Sequence, residues 1–160
     1  MKKLKIYLDT SVINFLFADD APEKRDATRK FFENHITKYE AVVSAVVLEE
    51  INRTKDISQR DKLTGKIKEY DLGEVPLEPK EEVTNLADAY VEAGVIPEKK
   101  YEDALHVALC TIHSIDVLVS WNFEHLANIN KERRILAVSQ KNGYFYPLRI
   151  TTPLEVMDSE

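Results

Sequence analysis

The chain contains 160 residues, of which 44% are hydrophobic and 31% are charged, and its net charge at pH 7 is −6. These proportions are typical of a folded globular protein and exclude a disordered chain, so we expect a single domain over residues 1–160. The apolar runs fall well short of the roughly 20 residues that a membrane helix needs, and the first residues lack the apolar core of a secretory signal. We therefore expect a cytoplasmic protein with no membrane segment. The acidic charge argues against nucleic-acid binding over the whole surface, although a local basic patch can still attract an anion.

Short apolar runs alternate along the chain with longer amphipathic segments. The short runs predict strands at residues 4–9, 39–44, 73–77, 117–120 and 146–151. The longer segments predict helices: a short one from Val12, others at residues 23–38, 46–53, 56–70, 81–93 and 101–113, and helical or loop structure over 124–142. Apolar strands separated by helices indicate an α/β fold with a mostly parallel sheet that is covered on both faces. In such sheets a functional site lies where the strands end.

Asp9 ends the first predicted strand, directly after the run at residues 4–8. A carboxylate beside core-forming residues loses hydration, and a bound cation offsets that cost. We therefore predict that Asp9 is a metal ligand and that Thr10 and Ser11 contact the substrate. The alternative is structural, because Asp, Thr and Ser are all good N-caps for the helix that follows.

Glu50 follows the apolar run at residues 45–48, and its neighbour Glu49 is also acidic. Successive helical residues point about 100° apart, so only one of these two carboxylates can face the site. If Val46 and Val47 mark the inner face, Glu50 lies beside them and Glu49 points outwards. The alternative is that both acids are exposed to solvent.

Asp103 opens the most apolar helix, and Asn122 closely follows the strand at residues 117–120. Asp103 is predicted to bind metal. Because an amide oxygen is a weaker ligand, Asn122 is expected to orient water or phosphate, together with Ser120. The structural alternatives are stabilisation of a helix N-terminus by Asp103 and turn formation by Asn122. His106, in the same apolar helix as Asp103, is more typical of a packed residue.

The candidate site is made of oxygen ligands alone. The sequence contains no CxxC pair, no HExxH helix and no Gly-rich phosphate loop. Carboxylates without His or Cys partners suit a hard cation. We therefore expect Asp9, Glu50 and Asp103 to share Mg²⁺ or Mn²⁺, as in a metal-dependent enzyme that acts on phosphate esters.

Four segments, taken in order, resemble the sequence blocks of PIN-domain ribonucleases. They are residues 7–13 (YLDTSVI), 43–51 (VSAVVLEEI), 103–108 (DALHVA) and 120–123 (SWNF). The second block of the family has its acid before an aliphatic residue, which selects Glu50 over Glu49. The resemblance extends from Leu4 to about Val156, and it departs from the family at Asn122, which stands where the family has a fourth acid.

The resemblance implies a three-layer α/β/α sandwich around a short parallel sheet. It also implies an endoribonuclease that hydrolyses RNA phosphodiester bonds with one or two Mg²⁺ or Mn²⁺ ions. Within the family it suggests a VapC-type toxin, commonly a homodimer that a partner antitoxin inhibits. Two alternatives stay open: a PIN-like binding module that has lost its activity, and another metal-dependent phosphoesterase or DNA nuclease. The candidate basic patches for RNA are Lys99–Lys100 and residues 131–134, with a solvated charged surface as the alternative for each.

Overall fold

A parallel sheet forms the centre of the computed structural model, which describes residues 2–157. Within these residues its five strands are β1 (Lys5–Leu8), β2 (Glu40–Ser44), β3 (Gly73–Val75), β4 (Val117–Val119) and β5 (Arg149–Thr151). They lie in the order β3-β2-β1-β4-β5, and every neighbouring pair is parallel. The predicted α/β fold with a parallel sheet is confirmed.

Helices connect the strands and cover both faces of the sheet. The seven α-helices within the described residues are α1 (Thr10–Phe15), α2 (Pro22–Asn34), α3 (Ala45–Asn52), α4 (Ile57–Glu69), α5 (Lys80–Glu92), α6 (Tyr101–Ile112) and α7 (Ile129–Lys141). Contacts join α1 to α2, α3 and α4, and α5 to α6 and α7. Because parallel connections are right-handed, the reversal of strand order after β3 moves the later helices to the opposite face. The result is the three-layer α/β/α sandwich that the sequence predicted.

Two predicted helices have different limits in the structure. The helix expected over residues 23–38 ends at Asn34, because His35 leaves helical geometry with φ −126°, and a short 3₁₀ turn follows at Ile36–Lys38. The segment expected to be helix or loop over 124–142 becomes helical only at Ile129, where the Asn128 side chain accepts a hydrogen bond from the backbone of Lys131.

The central strands are deeply buried. Ile6, Tyr7 and Leu8 are fully buried, as are Leu118 and Val119. This explains why the two strands are apolar without polar alternation, since both of their faces pack against helices. No helix within residues 2–157 has the length and apolar character that are needed to cross a lipid bilayer.

The strand order places a crevice beside β1. Successive strands run outward from β1 to β3, and β4 then returns to the other side of β1. The loops that leave β1 and β4 therefore turn toward opposite faces, and they open a space at the carboxyl ends of the strands. In open parallel sheets this reversal point is where ligands bind.

Candidate functional site

A polar cleft of about 200 Å³ lies at the reversal point. The residues that line it come from β1 and α1, from α3, from α6 and from the loop after β4: Asp9, Thr10, Ser11, Asn14, Glu50, Asp103, His106 and Asn122. The structure thus brings the three acids proposed as metal ligands into one cleft. Glu49, the neighbour of Glu50, is exposed on the outer side of its helix.

Asp9 caps α1 and faces the cleft at the same time. It is only 3% exposed, and its Oδ1 accepts hydrogen bonds from the Ser11 hydroxyl at 2.5 Å and from the backbone N–H of Val12 at 3.3 Å. Burial raises the pKa of Asp9, although the charge of His106 and hydrogen bonds from Ser11 and Ser120 oppose the rise. The structural alternative that the sequence offered for Asp9 is therefore real, and it is compatible with a place in the cleft.

Glu50 is held by two side chains. The Thr10 hydroxyl donates to its Oε1 at 2.8 Å, and His106 Nε2 lies 2.8 Å from the same oxygen. Burial on its own would raise the pKa of Glu50, but the hydrogen bond and charge of His106 outweigh it and the pKa is lowered. Glu50 is thus a well-oriented, ionised carboxylate.

His106 belongs to a buried polar chain beneath the cleft. Its Nδ1 lies 2.6 Å from the hydroxyl of Tyr7, which in turn lies 2.6 Å from the hydroxyl of Ser44. Burial acts to lower the pKa of His106, yet the hydrogen bond with Glu50 and the charge of Asp9 raise it overall. His106 therefore contacts both Glu50 and Tyr7, and when it is protonated its charge opposes that of the carboxylates in the cleft.

Asp103 and Asn122 contact each other across the mouth of the cleft. The amide nitrogen of Asn122 donates to Asp103 Oδ2 at 3.0 Å, and its amide oxygen accepts from the backbone N–H of His125 at 3.0 Å. Burial raises the pKa of Asp103 to about 6; the charge of His106 acts against this rise, and the charges of Asp9 and Glu50 add to it. The surroundings of Asp103 thus favour its neutral form, mainly because the carboxyl is partly buried.

The three predicted substrate contacts differ in their surroundings. Thr10 and Ser11 line the cleft. Ser120 is fully buried, and its hydroxyl bonds to Asp9 and accepts from the backbone of Asn122 at 3.0 Å. In this position Ser120 positions Asp9 and Asn122, and a direct contact with substrate stays a prediction for all three residues.

The donor set suits a hard cation. Three carboxylates and an amide share one partly buried cleft, where burial, and after it the charges of Asp9 and Glu50, raise the pKa of Asp103; a bound cation would favour the charged form. Among residues 2–157, however, no three His, Cys, Asp or Glu side chains already stand in positions that hold a metal ion. The oxygen ligands are of the kind that Mg²⁺ and Mn²⁺ prefer. In the present arrangement Glu50 is hydrogen-bonded to His106, and Asp103 is hydrogen-bonded to Asn122.

Sequence reasoning missed three residues of this region. Tyr7 lies in the first strand, where a tyrosine among apolar residues is typical of the core, and Asn14 lies in the short first helix. His106 was expected only to pack, and its separation of three residues from Asp103 was the available signal, because residues three apart lie on the same helix face. Its hydrogen bond to Glu50 depends on a contact between two distant helices.

Comparison with known proteins relates most of this chain to one family. The family model of the PIN domain matches residues 6–146. Among curated proteins, none matches this chain in sequence.

Two solved structures share the fold. One is VapBC2 from Rickettsia felis, bound to a DNA fragment from its promoter, with a TM-score of 0.58 and 15% identity, covering 93% of this chain and 98% of the matched chain. The other is VapBC-5 from Mycobacterium tuberculosis, a member of the VapBC family of toxin–antitoxin systems, with a TM-score of 0.50 and 14% identity, covering 92% of this chain and 98% of the matched chain. At such low identity these similarities concern the fold.

Proposed function

Because this chain belongs to the PIN-domain family, we propose that it is a nuclease that hydrolyses RNA phosphodiester bonds with Mg²⁺ or Mn²⁺. The observation that carries the proposal is the shared cleft of Asp9, Glu50 and Asp103, which come from three distant segments of the chain. Carboxylates that lie close together and are partly buried repel one another. This repulsion lowers the stability of the fold unless a bound cation compensates the charge.

The three acids and the side chains that hydrogen-bond to Glu50 and Asp103 have separate roles in this proposal. Asp9 and Asp103 would hold the ion directly, and Glu50 would hold it directly or through water. When bound, the ion polarises a phosphoryl oxygen and lowers the pKa of an attacking water. His106 and Thr10 fix the orientation of Glu50, and Asn122 does the same for Asp103.

Arg53 and Lys100 are the cations that we propose for contacts with the RNA backbone. Arg53 is the residue at the C-cap of α3, three positions after Glu50, and Lys100 is the residue at the N-cap of α6, three positions before Asp103. Arg53 also pairs with Glu102 on α6, beside Asp103. In contrast, the basic patch predicted at residues 131–134 is partly tied to the chain, since Lys131 Nζ donates to the carbonyl of Val95 at 2.7 Å.

We further propose that the protein is the toxin of a toxin–antitoxin pair, acting in the cytoplasm as a homodimer that a cognate antitoxin inhibits. The support is the shared fold with the two VapBC structures, which span almost the whole chain. Expression of the chain should then arrest growth, and Asp9→Asn should abolish the arrest. A wild-type chain that is expressed and folded without any effect on growth would contradict the toxin role.

Cleavage of a mixed RNA pool tests the nuclease. Wild-type protein should cleave the RNA with Mn²⁺ and not with EDTA. Asp9→Asn should reduce the rate by about 100-fold or more, as expected when a group that organises developing charge is lost. Because Asn is also a good N-cap, this variant keeps α1 intact.

Glu50 and Glu49 offer a matched pair on one helix. Glu50→Gln should lose most of the activity, while Glu49→Gln should retain it, since Glu49 is exposed and lies outside the cleft. Activity that survives both EDTA and Asp9→Asn would refute the metal mechanism.

The main competing function is a binding module without catalysis. Asn122, which stands where the family has a fourth acid, is the observation that favours it. Calorimetric titration with Mn²⁺ separates the two functions, because saturable binding is expected only for an intact site. Parallel assays with single-stranded and branched DNA separate the RNA nuclease from another phosphoesterase on the same fold.

A further inference from the structure

Beside the acidic cleft, three aromatic rings and one lysine form a compact surface patch. Phe15 at the end of α1, Trp121 and Phe123 in the loop after β4, and Lys24 on α2 make up this patch, which we name the aromatic surface. The ring centroids of Phe15 and Trp121 are 6.0 Å apart, and those of Trp121 and Phe123 are 6.2 Å apart. These separations are typical of favourable contacts between tilted rings.

The Lys24 ammonium lies over all three rings. Its distances to the centroids are 5.4 Å for Phe15, 5.8 Å for Trp121 and 5.2 Å for Phe123. Within residues 2–157, no carboxylate lies at salt-bridge distance from this ammonium. The rings therefore hold a positive charge that has no anionic partner in the described part of the chain.

Hydrogen bonds fix the aromatic surface relative to the cleft. The Ser11 hydroxyl, which donates to Asp9, accepts from the backbone N–H of Trp121 at 3.0 Å. The indole N–H of Trp121 donates to the Thr28 hydroxyl at 2.9 Å, which locks the ring orientation. Trp121 is thus connected to the carboxylate of Asp9 through the hydroxyl of Ser11.

Phe123 is the exposed member of the surface. It is 47% exposed, whereas Trp121 is 5% exposed, so Trp121 supports the surface from below. The Asn128 amide donates to the carbonyl of Phe123 at 2.6 Å and fixes the loop. Phe123 also directly follows Asn122, which lines the cleft, so the exposed ring belongs to the residue next to the cleft lining.

We propose that the aromatic surface binds an unpaired nucleotide of the RNA next to the bond that is cleaved, with the base stacked on Phe123 and a phosphate paired with Lys24. An aromatic ring with an adjacent cation is the combination that binds single-stranded nucleic acid, since every base has a flat face and every nucleotide has a phosphate. The proposal rests on the nuclease function and adds to it the residues that bind the nucleotide beside the cleaved bond.

Binding of a fluorescein-labelled single-stranded RNA oligonucleotide, measured by anisotropy in EDTA, tests the proposal without cleavage. Phe123→Ala should weaken binding about 5-fold to 150-fold, the range for loss of one stacked base. Phe123→Leu keeps an apolar side chain without a flat ring and should show most of this loss. A matched control is Phe145→Ala, because Phe145 is 72% exposed. It precedes β5 in the chain, whereas the cleft lies at the carboxyl ends of the strands.

Two further measurements address the lysine and the tryptophan. Lys24→Gln should reduce the slope of log affinity against log salt by about 0.7, the value for one phosphate contact on a single strand. Trp121 is the one tryptophan in the sequence, so its fluorescence should change on RNA binding, and Phe123→Ala should reduce that change. A blunt RNA duplex of the same sequence should bind more weakly than the single strand.

The outcomes separate this proposal from the nuclease function. Binding that depends on Phe123, together with no cleavage in Mn²⁺, would refute the nuclease and support the aromatic surface. Cleavage that depends on Asp9, together with unchanged affinity and KM in folded Phe123→Ala and Phe123→Leu, would refute the aromatic surface alone. Absence of wild-type RNA binding, or equal binding of duplex and single strand, would also overturn the proposal, and a surface covered by a protein partner would then be favoured.

Discussion

His106 and Glu50 are 56 positions apart in the sequence, and their side chains meet at 2.8 Å in the wall of the acidic cleft. The ring of His106 is buried and is also held from its other nitrogen by Tyr7 at 2.6 Å. A histidine that is fixed at both nitrogens cannot follow Glu50 if the carboxylate rotates. The pair therefore favours one orientation of Glu50.

His106→Gln tests whether this orientation matters for metal binding. Partners that orient a ligand typically contribute 10- to 100-fold to metal affinity, so the affinity for Mn²⁺ should fall by about that factor. Titration calorimetry measures the change, and circular dichroism checks that the variant is folded. His113→Gln is the control, because His113 caps the far end of the same helix and lies outside the cleft. Unchanged Mn²⁺ affinity in His106→Gln would exclude the positioning role.

Glu132 protects the exposed edge of the sheet. Its Oε2 accepts from the backbone N–H of Ile150 in β5 at 2.8 Å, and its Oε1 accepts from Arg149 Nε at 3.2 Å. Glu132→Ala leaves the edge N–H without this acceptor and should cost about 1–3 kcal/mol of unfolding free energy. Urea denaturation measures the loss, with Glu33→Ala on the exposed side of α2 as the control. RNA cleavage by Glu132→Ala below its melting temperature should be normal, and a stability equal to wild type would show that water replaces the carboxylate.

Two glycines should respond to alanine with opposite signs. Gly65 lies within α4, and an added Cβ would meet nothing within 4 Å, so Gly65→Ala should stabilise the protein by about 0.5–1 kcal/mol. Gly94 follows α5 with φ +72°, a conformation that costs an L-residue about 1–2 kcal/mol, so Gly94→Ala should destabilise it. Urea denaturation of both variants checks the signs. Stabilisation by Gly94→Ala would show that the chain after α5 adopts another conformation.

Much of the fold follows from local sequence pattern. The strand ends could be predicted because apolar runs change abruptly to polar residues at Asp9 and after Val119, and Glu50 could be chosen over Glu49 from the helix face. The end of α2 was less predictable, because residues up to 36 continue the apolar spacing although His35 breaks the helix.

The contacts that orient the site could not be predicted in this way. Tyr7, Ser44 and His106 reach one another only after β1, β2 and α6 have packed together. Likewise, Trp121 and Phe123 flank Asn122 in sequence, but the position of Lys24 over their rings depends on how α2 packs. Residue spacing indicates which side chains share a face of one element, and it carries no information on which elements meet.

Asp103 should make the metal-free protein less stable than its neutral variant at pH 7.5. Burial raises its pKa to about 6, with the charges of Asp9 and Glu50 adding to the effect, whereas an Asp in the unfolded chain titrates near 4. Between these values the folded state alone holds the proton, so stability falls as the pH rises through this range and the full penalty is present above about pH 6. Asp103→Asn removes the charge and should gain about 1–2 kcal/mol in EDTA at pH 7.5, after allowance for solvent screening.

Thermal unfolding in EDTA measures this gain as a rise in Tm of about 2–8 °C at pH 7.5, which should become smaller as the pH is lowered from 6 to 4.5. Mn²⁺ should raise the Tm of the wild type and have little effect on Asp103→Asn, because the cation neutralises the charge that the substitution removes. Glu49→Gln, which changes an exposed acid, should show neither effect. If Asp103→Asn melted below the wild type at pH 7.5 in EDTA, the hydrogen bond between Asn122 and the carboxylate would have to outweigh the repulsion among the three acids, and the case for a cation in the cleft would lose its electrostatic support.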